Sequence, residues 1–202
     1  MTARRLPLWL KIVWTAWVVV WIPLYWRQYS VTTFLWFCDF ANFILLAALW
    51  RESALLFSWQ AVSVLVFQLA YAIDILGRAA IGRHPIGGTE WIFDDPRIPG
   101  HIKALSVTMH LATPPLLIWA VRKVGYDKRA LALQAATAAV LLPVSWLVGD
   151  PKDNLNWVWR PFNKAQTLMA PWLYLLVCIV GYTVLVFLPT HLVLKRLYGK
   201  DR

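Results

Sequence analysis

The sequence predicts an all-α, polytopic membrane protein with six transmembrane helices and both termini cytoplasmic, and three observations carry that expectation. Sixty per cent of the 202 residues are hydrophobic and 14 are tryptophan, above the roughly 45–50% apolar share of soluble domains. Mean hydropathy is +0.56. Apolar stretches near the length of about 20 residues that a bilayer core requires fall at about 8–26, 31–50, 53–76, 102–121, 130–149 and 170–194. Together they use up the chain, so residues 1–202 read as one transmembrane domain without room for a soluble one.

Taken in order, the first stretch follows the basic start "MTARR" and runs to Trp26 without a small-residue cleavage site, which marks a retained helix and not a removed signal peptide. The second, "VTTFLWFCDFANFILLAALW", carries Thr32, Thr33, Cys38, Asp39 and Asn42. The third brings Gln68, Tyr71 and Asp74 at its far end, and the fifth brings Gln134 and Ser145. The fourth contains "SVTMHLATPPLLIW", where Pro114 and Pro115 cannot donate to the carbonyls of residues 110 and 111, so a kink just past His110 is expected. The sixth ends in His191 beside Lys195 and Arg196, an ordinary interfacial position. Cys38 and Cys178 lie inside helices without paired spacing, which excludes a thiolate metal motif and makes Cys38 read as a small core residue.

Basic residues set the orientation. Arg4, Arg5, Lys11, Arg51, Arg122, Lys123, Lys128, Arg129, Lys195, Arg196, Lys200 and Arg202 fall on one side, and only Arg27, Arg78, Arg83, Arg97, Lys103, Lys152, Arg160 and Lys164 on the other. The first side is therefore cytoplasmic. A net charge of +10 held in short juxtamembrane clusters suits anionic lipid headgroups, so membrane lipids are the expected partners and nucleic acid is not.

An ionisable side chain within a span is costly unless it faces a partner, water or a cavity, so each is a functional hypothesis. Both the second and the fourth helix begin on the outer side, which puts Asp39 and His110 about eight residues, roughly 12 Å, below that surface. Lys103, Ser106, His110 and Thr113 share one helix face. A polar pocket open to the outer side is expected to collect Thr32, Asn42, Gln68, Asp74, Ser106 and Asn156 around them. The outer connections 77–101 and 151–168 are long and rich in turn residues, which suits covering or functional loops. No calcium-loop spacing organises Asp150, Asp153, Asn154 and Asn156, and no zinc spacing organises His84, His101, Asp94 and Asp95, so neither a metal nor a cofactor is expected.

"MHLATPPLLIW" followed after one helix by "NWVWRPF" resembles the androgen-induced family of six-helix membrane hydrolases of fatty-acid esters of hydroxy fatty acids. The resemblance implies that His110 is the base and that "TTFLWFCDF" supplies the nucleophile, Thr33 with Thr32 as the alternative. The chain is also similar to bacterial integral membrane proteins of no assigned activity, which suggests a bacterial inner membrane. The reading that follows is a lipid-ester hydrolase or acyl-transfer enzyme, with Asp39 orienting the imidazole and Asn156 or freed amides holding the oxyanion. A small-solute or proton-coupled carrier and a non-catalytic membrane subunit are the alternatives, because the same polar lining suits each.

Overall fold

A helix that meets lipid on one side and protein on the other can be apolar all round, and α1 (Leu8–Gln28) shows it. Trp14, Val18, Trp21 and Tyr25, spaced four, three and four residues apart, are buried against the bundle. Trp9, Ile12, Val13, Val19 and Val20 face outward. These coordinates are a computed structural model describing residues 6–199. Arg4, Arg5, Lys200 and Arg202, which enter the charge assignment, lie outside the described residues.

After α1, Ser30 caps a 3-10 turn, Val31–Leu35, by accepting from the Thr32 amide. Trp36 is extended, and α2 (Phe37–Arg51) follows. The expected continuous span at 31–50 is therefore broken. In an unbroken helix the Phe37 amide would bond to the Thr33 carbonyl; here Trp36 N–H bonds to Thr33 O at 3.0 Å and Phe37 N–H donates to Asn156 Oδ1 at 2.9 Å. With 15 residues, α2 extends about 22 Å, short of a hydrocarbon layer about 30 Å thick.

The other expected helices form close to their anticipated bounds. α3 (Ala54–Ile81) starts at Ser53, whose hydroxyl accepts from Leu56 N–H, and ends at Gly82, whose φ of +69° suits a residue without Cβ. A short α4 (Glu90–Asp94) interrupts the long connection to α5 (Gly100–Val124). α5 runs as one helix through Pro114 and Pro115. α6 (Ala130–Val148) leads to an irregular connection, then α7 (Pro171–Gly181) passes through a π-helical stretch, Tyr182–Phe187, into α8 (Leu188–Tyr198). Pro189 opens α8, and its missing amide fits a widened turn just before it.

Among the described residues five helices are long and apolar enough to cross a membrane: Leu8–Gln28, Ala54–Ile81, Gly100–Val124, Ala130–Val148 and Pro171–Tyr198. The chain is thus a multi-pass helical membrane protein, and its outward apolar side chains meet lipid.

At the centre α3 packs along α5, with α2 and α6 also against α3 and α1 flanking α2 and α5. Leu45, Leu49, Phe57, Ala61, Leu117, Ala120, Val121 and Leu142 form a continuous buried core. At one end of the bundle, Lys11 Nζ meets Glu52 Oε1 at 2.6 Å, Asp127 N–H donates to Ser58 Oγ at 2.9 Å, and Tyr126 N–H donates to Tyr198 O at 3.4 Å. The start of α1, the α2–α3 turn, the α5–α6 turn and the end of α8 therefore share that end. The connections after α1, α3 and α6 gather at the other.

Candidate functional site

His110 on α5 is 3% exposed and held by α3 from two directions. Its Nδ1–H donates to Gln68 Oε1 at 2.7 Å, and its ring stacks on Tyr71 with centroids 4.4 Å apart and planes 20° from parallel. Gln68 and Tyr71 are three residues apart and so share a face of α3. Donation from Nδ1 leaves the lone pair on Nε2, which has no hydrogen-bond partner among the described residues, and this is the tautomer a general base needs.

Asp39, 5% exposed in the first turn of α2, accepts a hydrogen bond from Thr33 Oγ1 at 3.4 Å. Among the described residues no hydrogen bond or ion pair joins Asp39 to His110. Gln68, rather than Asp39, holds the imidazole. The two ionisable groups share a wall without a hydrogen bond or ion pair between them.

That wall belongs to a cavity of about 890 Å³ at the loop-rich end, lined by Thr33, Cys38, Asp39, Tyr71, Asp74, Met109 and His110 among others. A volume in the few-hundred to thousand Å³ range suits an organic ligand. A small recess of about 30 Å³ beside it joins Cys38, Tyr71, Asn156, Trp157 and Tyr182.

The remaining sequence-predicted pocket residues support the site from behind. Thr32 bonds Ser30 through its hydroxyl and does not line the cavity. Asn42 Nδ2 donates to Cys38 O at 3.2 Å and to Met109 Sδ at 3.0 Å. Ser106 donates to Ile102 O at 3.1 Å and bonds the Tyr25 hydroxyl. Asn156 is a staple: Oδ1 takes Phe37 N–H, while Nδ2 donates to Leu35 O at 2.7 Å and Ser145 Oγ at 3.3 Å. Both amide hydrogens are committed, so Asn156 is not available as the expected oxyanion donor.

Asp74 lines the cavity with its carboxylate saturated. Ile86 and Gly87 N–H donate to Oδ1, and Gly88 N–H, Thr89 N–H and Thr89 Oγ1–H donate to Oδ2, all within 3.1 Å. Gly87, at φ +83°, lets successive amides converge on one anion. The loop over the cavity is thereby latched to α3. Asp74, His84 and Glu90 place ligand atoms within 4.8 Å of one another, the one such metal-like group among the described residues. His84 Nδ1 lies 2.8 Å from Thr89 Oγ1, which already donates to Asp74. A cation there would have to displace those bonds, so the residues fit a loop latch better than a metal site.

The second covering loop is strained. Asn154, Asn156, Trp157 and Phe162 all have positive φ, at 49°, 48°, 57° and 46°. Asn154 Oδ1 accepts from Trp159 and Arg160 N–H, Tyr182 OH donates to Asn156 O at 2.9 Å, and Tyr174 OH donates to Trp157 O at 3.1 Å. Asn154 and Asn156, weighed above as hard ligands, are instead these internal braces.

Cys38, expected from the sequence to be a small core residue, packs against the buried core and also lines the cavity. Its position next to Asp39 is the signal that marks it. Tyr29, the adjacent pair Glu90 and Trp91, and Asp153 come from three separate connections, and no spacing in the sequence brings them together. No known protein family, curated protein or solved structure matches the chain.

Proposed function

We propose that the chain is an intramembrane hydrolase or acyl-transfer enzyme that acts on a lipid ester entering the cavity from the outer leaflet, with His110 as its base. The observation that carries this reading is the cavity itself, which brings Thr33, Cys38 and His110 to one surface while Gln68 leaves His110 Nε2 free. The nucleophile's hydroxyl or thiol would attack the ester carbonyl carbon and pass its proton to Nε2. The ester C–O bond then breaks, the alcohol leaves with that proton, and water or a second alcohol repeats the sequence on the acyl-enzyme. Thr33 is the nucleophile the family resemblance points to; its hydroxyl donates to Asp39 at 3.4 Å in the resting site and would turn from Asp39 to His110 Nε2 for the transfer. Cys38 is the competitor that the cavity lining adds. Tyr71 OH, without a hydrogen-bond partner among the described residues and on the same lining, is the available oxyanion donor.

The membrane arrangement proposed with it is six crossings, the segment 31–51 making the sixth as a turn plus α2, with both termini cytoplasmic. The gathering of residues 11, 52, 127 and 198 at one end supports it, as does the excess of basic residues there. By the similarity noted above, the membrane is a bacterial inner membrane.

Activity-based labelling of the purified protein with a fluorophosphonate, alongside Thr33→Ala, Cys38→Ala and His110→Ala, tests the reading. Labelling that disappears in His110→Ala and in one of the other two supports it and names the nucleophile. No labelling of the folded wild type would end the enzyme reading and leave a carrier or a non-catalytic subunit.

A further inference from the structure

The cavity's charge runs opposite to that of the chain. The sequence holds twenty lysines and arginines against ten acids, yet the lining includes Asp39, Asp74, Glu90 and Asp153 and no lysine or arginine among the described residues. The acids are graded by depth: Glu90 and Asp153 are exposed, whereas Asp39 and Asp74 are buried. Asp74 is already taken by the loop it latches, so Asp39, Glu90 and Asp153 are the carboxylates open to a ligand. Aromatic rings stand on the same lining. Tyr29 and Trp91 meet edge to face at 6.5 Å, and Trp157 and Phe162 lie 4.7 Å apart. Further in, Phe67, Ala70, Met109 and Leu155 offer an apolar wall. Carboxylates and ring faces together are the chemistry that recognises an ammonium group, and an apolar wall behind them takes a hydrocarbon chain.

We propose that the cavity binds an amphiphile whose headgroup carries an ammonium charge, such as a zwitterionic choline or ethanolamine lipid, and turns away purely anionic lipids. This rests on the enzyme reading only in naming its substrate class. The basic patches elsewhere would draw anionic lipids to the bundle surface, so the readout must come from the cavity alone.

Protection of Cys38 from N-ethylmaleimide supplies that readout, measured on the full chain in dodecyl maltoside with Cys178→Ala so that one thiol remains. The probes are lysophosphatidylcholine, lysophosphatidylglycerol of the same chain length, and choline without a chain. Lysophosphatidylcholine is expected to slow alkylation at a concentration at least about tenfold lower than lysophosphatidylglycerol, since like charges facing one another are disfavoured. Glu90→Gln combined with Asp153→Asn, both on exposed residues, should narrow that ratio. Equal or better protection by lysophosphatidylglycerol, or no protection by either lipid, overturns the proposal, and protection by choline alone replaces the amphiphile with a soluble cation. Fluorophosphonate labelling is scored separately: labelling without headgroup preference sinks this inference and spares the enzyme, and preference without labelling does the reverse.

Discussion

The two ends of this bundle solve different problems with the same helices. At the end that holds the start of α1 and the end of α8, the turns are short and the polar groups pair simply, as in Lys11 with Glu52 and Ser58 with the Asp127 amide. One non-glycine residue there, Glu52, has positive φ. At the other end four non-glycine residues do, a carboxylate is buried under a loop, and a cavity of about 890 Å³ opens beside His110. Each left-handed residue costs on the order of 1–3 kcal/mol and persists only where its surroundings over-determine it. Closing a bundle does not need such strain. It is concentrated in the connection beside the cavity, where Asn156, Tyr174 and Tyr182 brace it.

The contrast breaks most readily at Asp74. Asp74→Ala removes the acceptor of five hydrogen bonds and should cost about 3–5 kcal/mol, freeing the loop it holds. Limited proteolysis should then cut within residues 82–99, and an unchanged digestion pattern would show that the loop does not depend on the latch. Asn156→Ala comes next, at about 2–4 kcal/mol, because the Phe37 amide and Leu35 carbonyl lose their partner. A lowered melting temperature together with faster alkylation of Cys38 is the expected pair of results.

Gln68→Leu sharpens the comparison by separating chemistry from folding. His110 Nδ1–H loses its acceptor, so fluorophosphonate labelling should slow by about 10²-fold or more while the melting temperature falls by much less than in Asn156→Ala. At the simple end, Ser58→Ala removes one hydrogen bond and should cost about 1 kcal/mol, with labelling untouched. If it disturbed the cavity as strongly as Asn156→Ala, the division between the two ends would fail.

The smallest effect is electrostatic, and both ends should share it. Arg97 holds the Asp95 carboxyl down at about 2 through a direct hydrogen bond, and Arg129 lowers that of Asp127 in the same way. A carboxyl depressed on folding stabilises the native state above its unfolded pKa of about 4, and that contribution disappears as pH falls toward the folded value. Melting temperature should therefore decline slightly between about pH 5 and pH 2. Arg97→Gln and Arg129→Gln should each flatten that decline by a similar small amount, since both arginines are exposed and such pairs contribute little.

The sequence by itself determined the class and the bounds of most helices, because hydrophobic length and helical spacing are local properties; the equal depth expected for Asp39 and His110 assumed a helix from residue 31, whereas Asp39 stands in the first turn of α2 and His110 ten residues into α5. It also marked the residues of the wall, Thr33, Asp39, Asp74 and His110. Only the tertiary structure decided their partners. Gln68 and not Asp39 meets His110 because α3 and α5 pack face to face, and that packing depends on how whole helices fit. The broken second helix was equally hidden, since the residue that captures the Phe37 amide stands 119 positions away in the chain. Asn156 looked like a site residue because asparagine in an apolar setting suggests function, yet its bonds are all used to hold the joint. The cavity's acidic lining escaped notice for the same reason: its members come from α2, α3, α4 and the loop after α6, and only folding puts them on one surface.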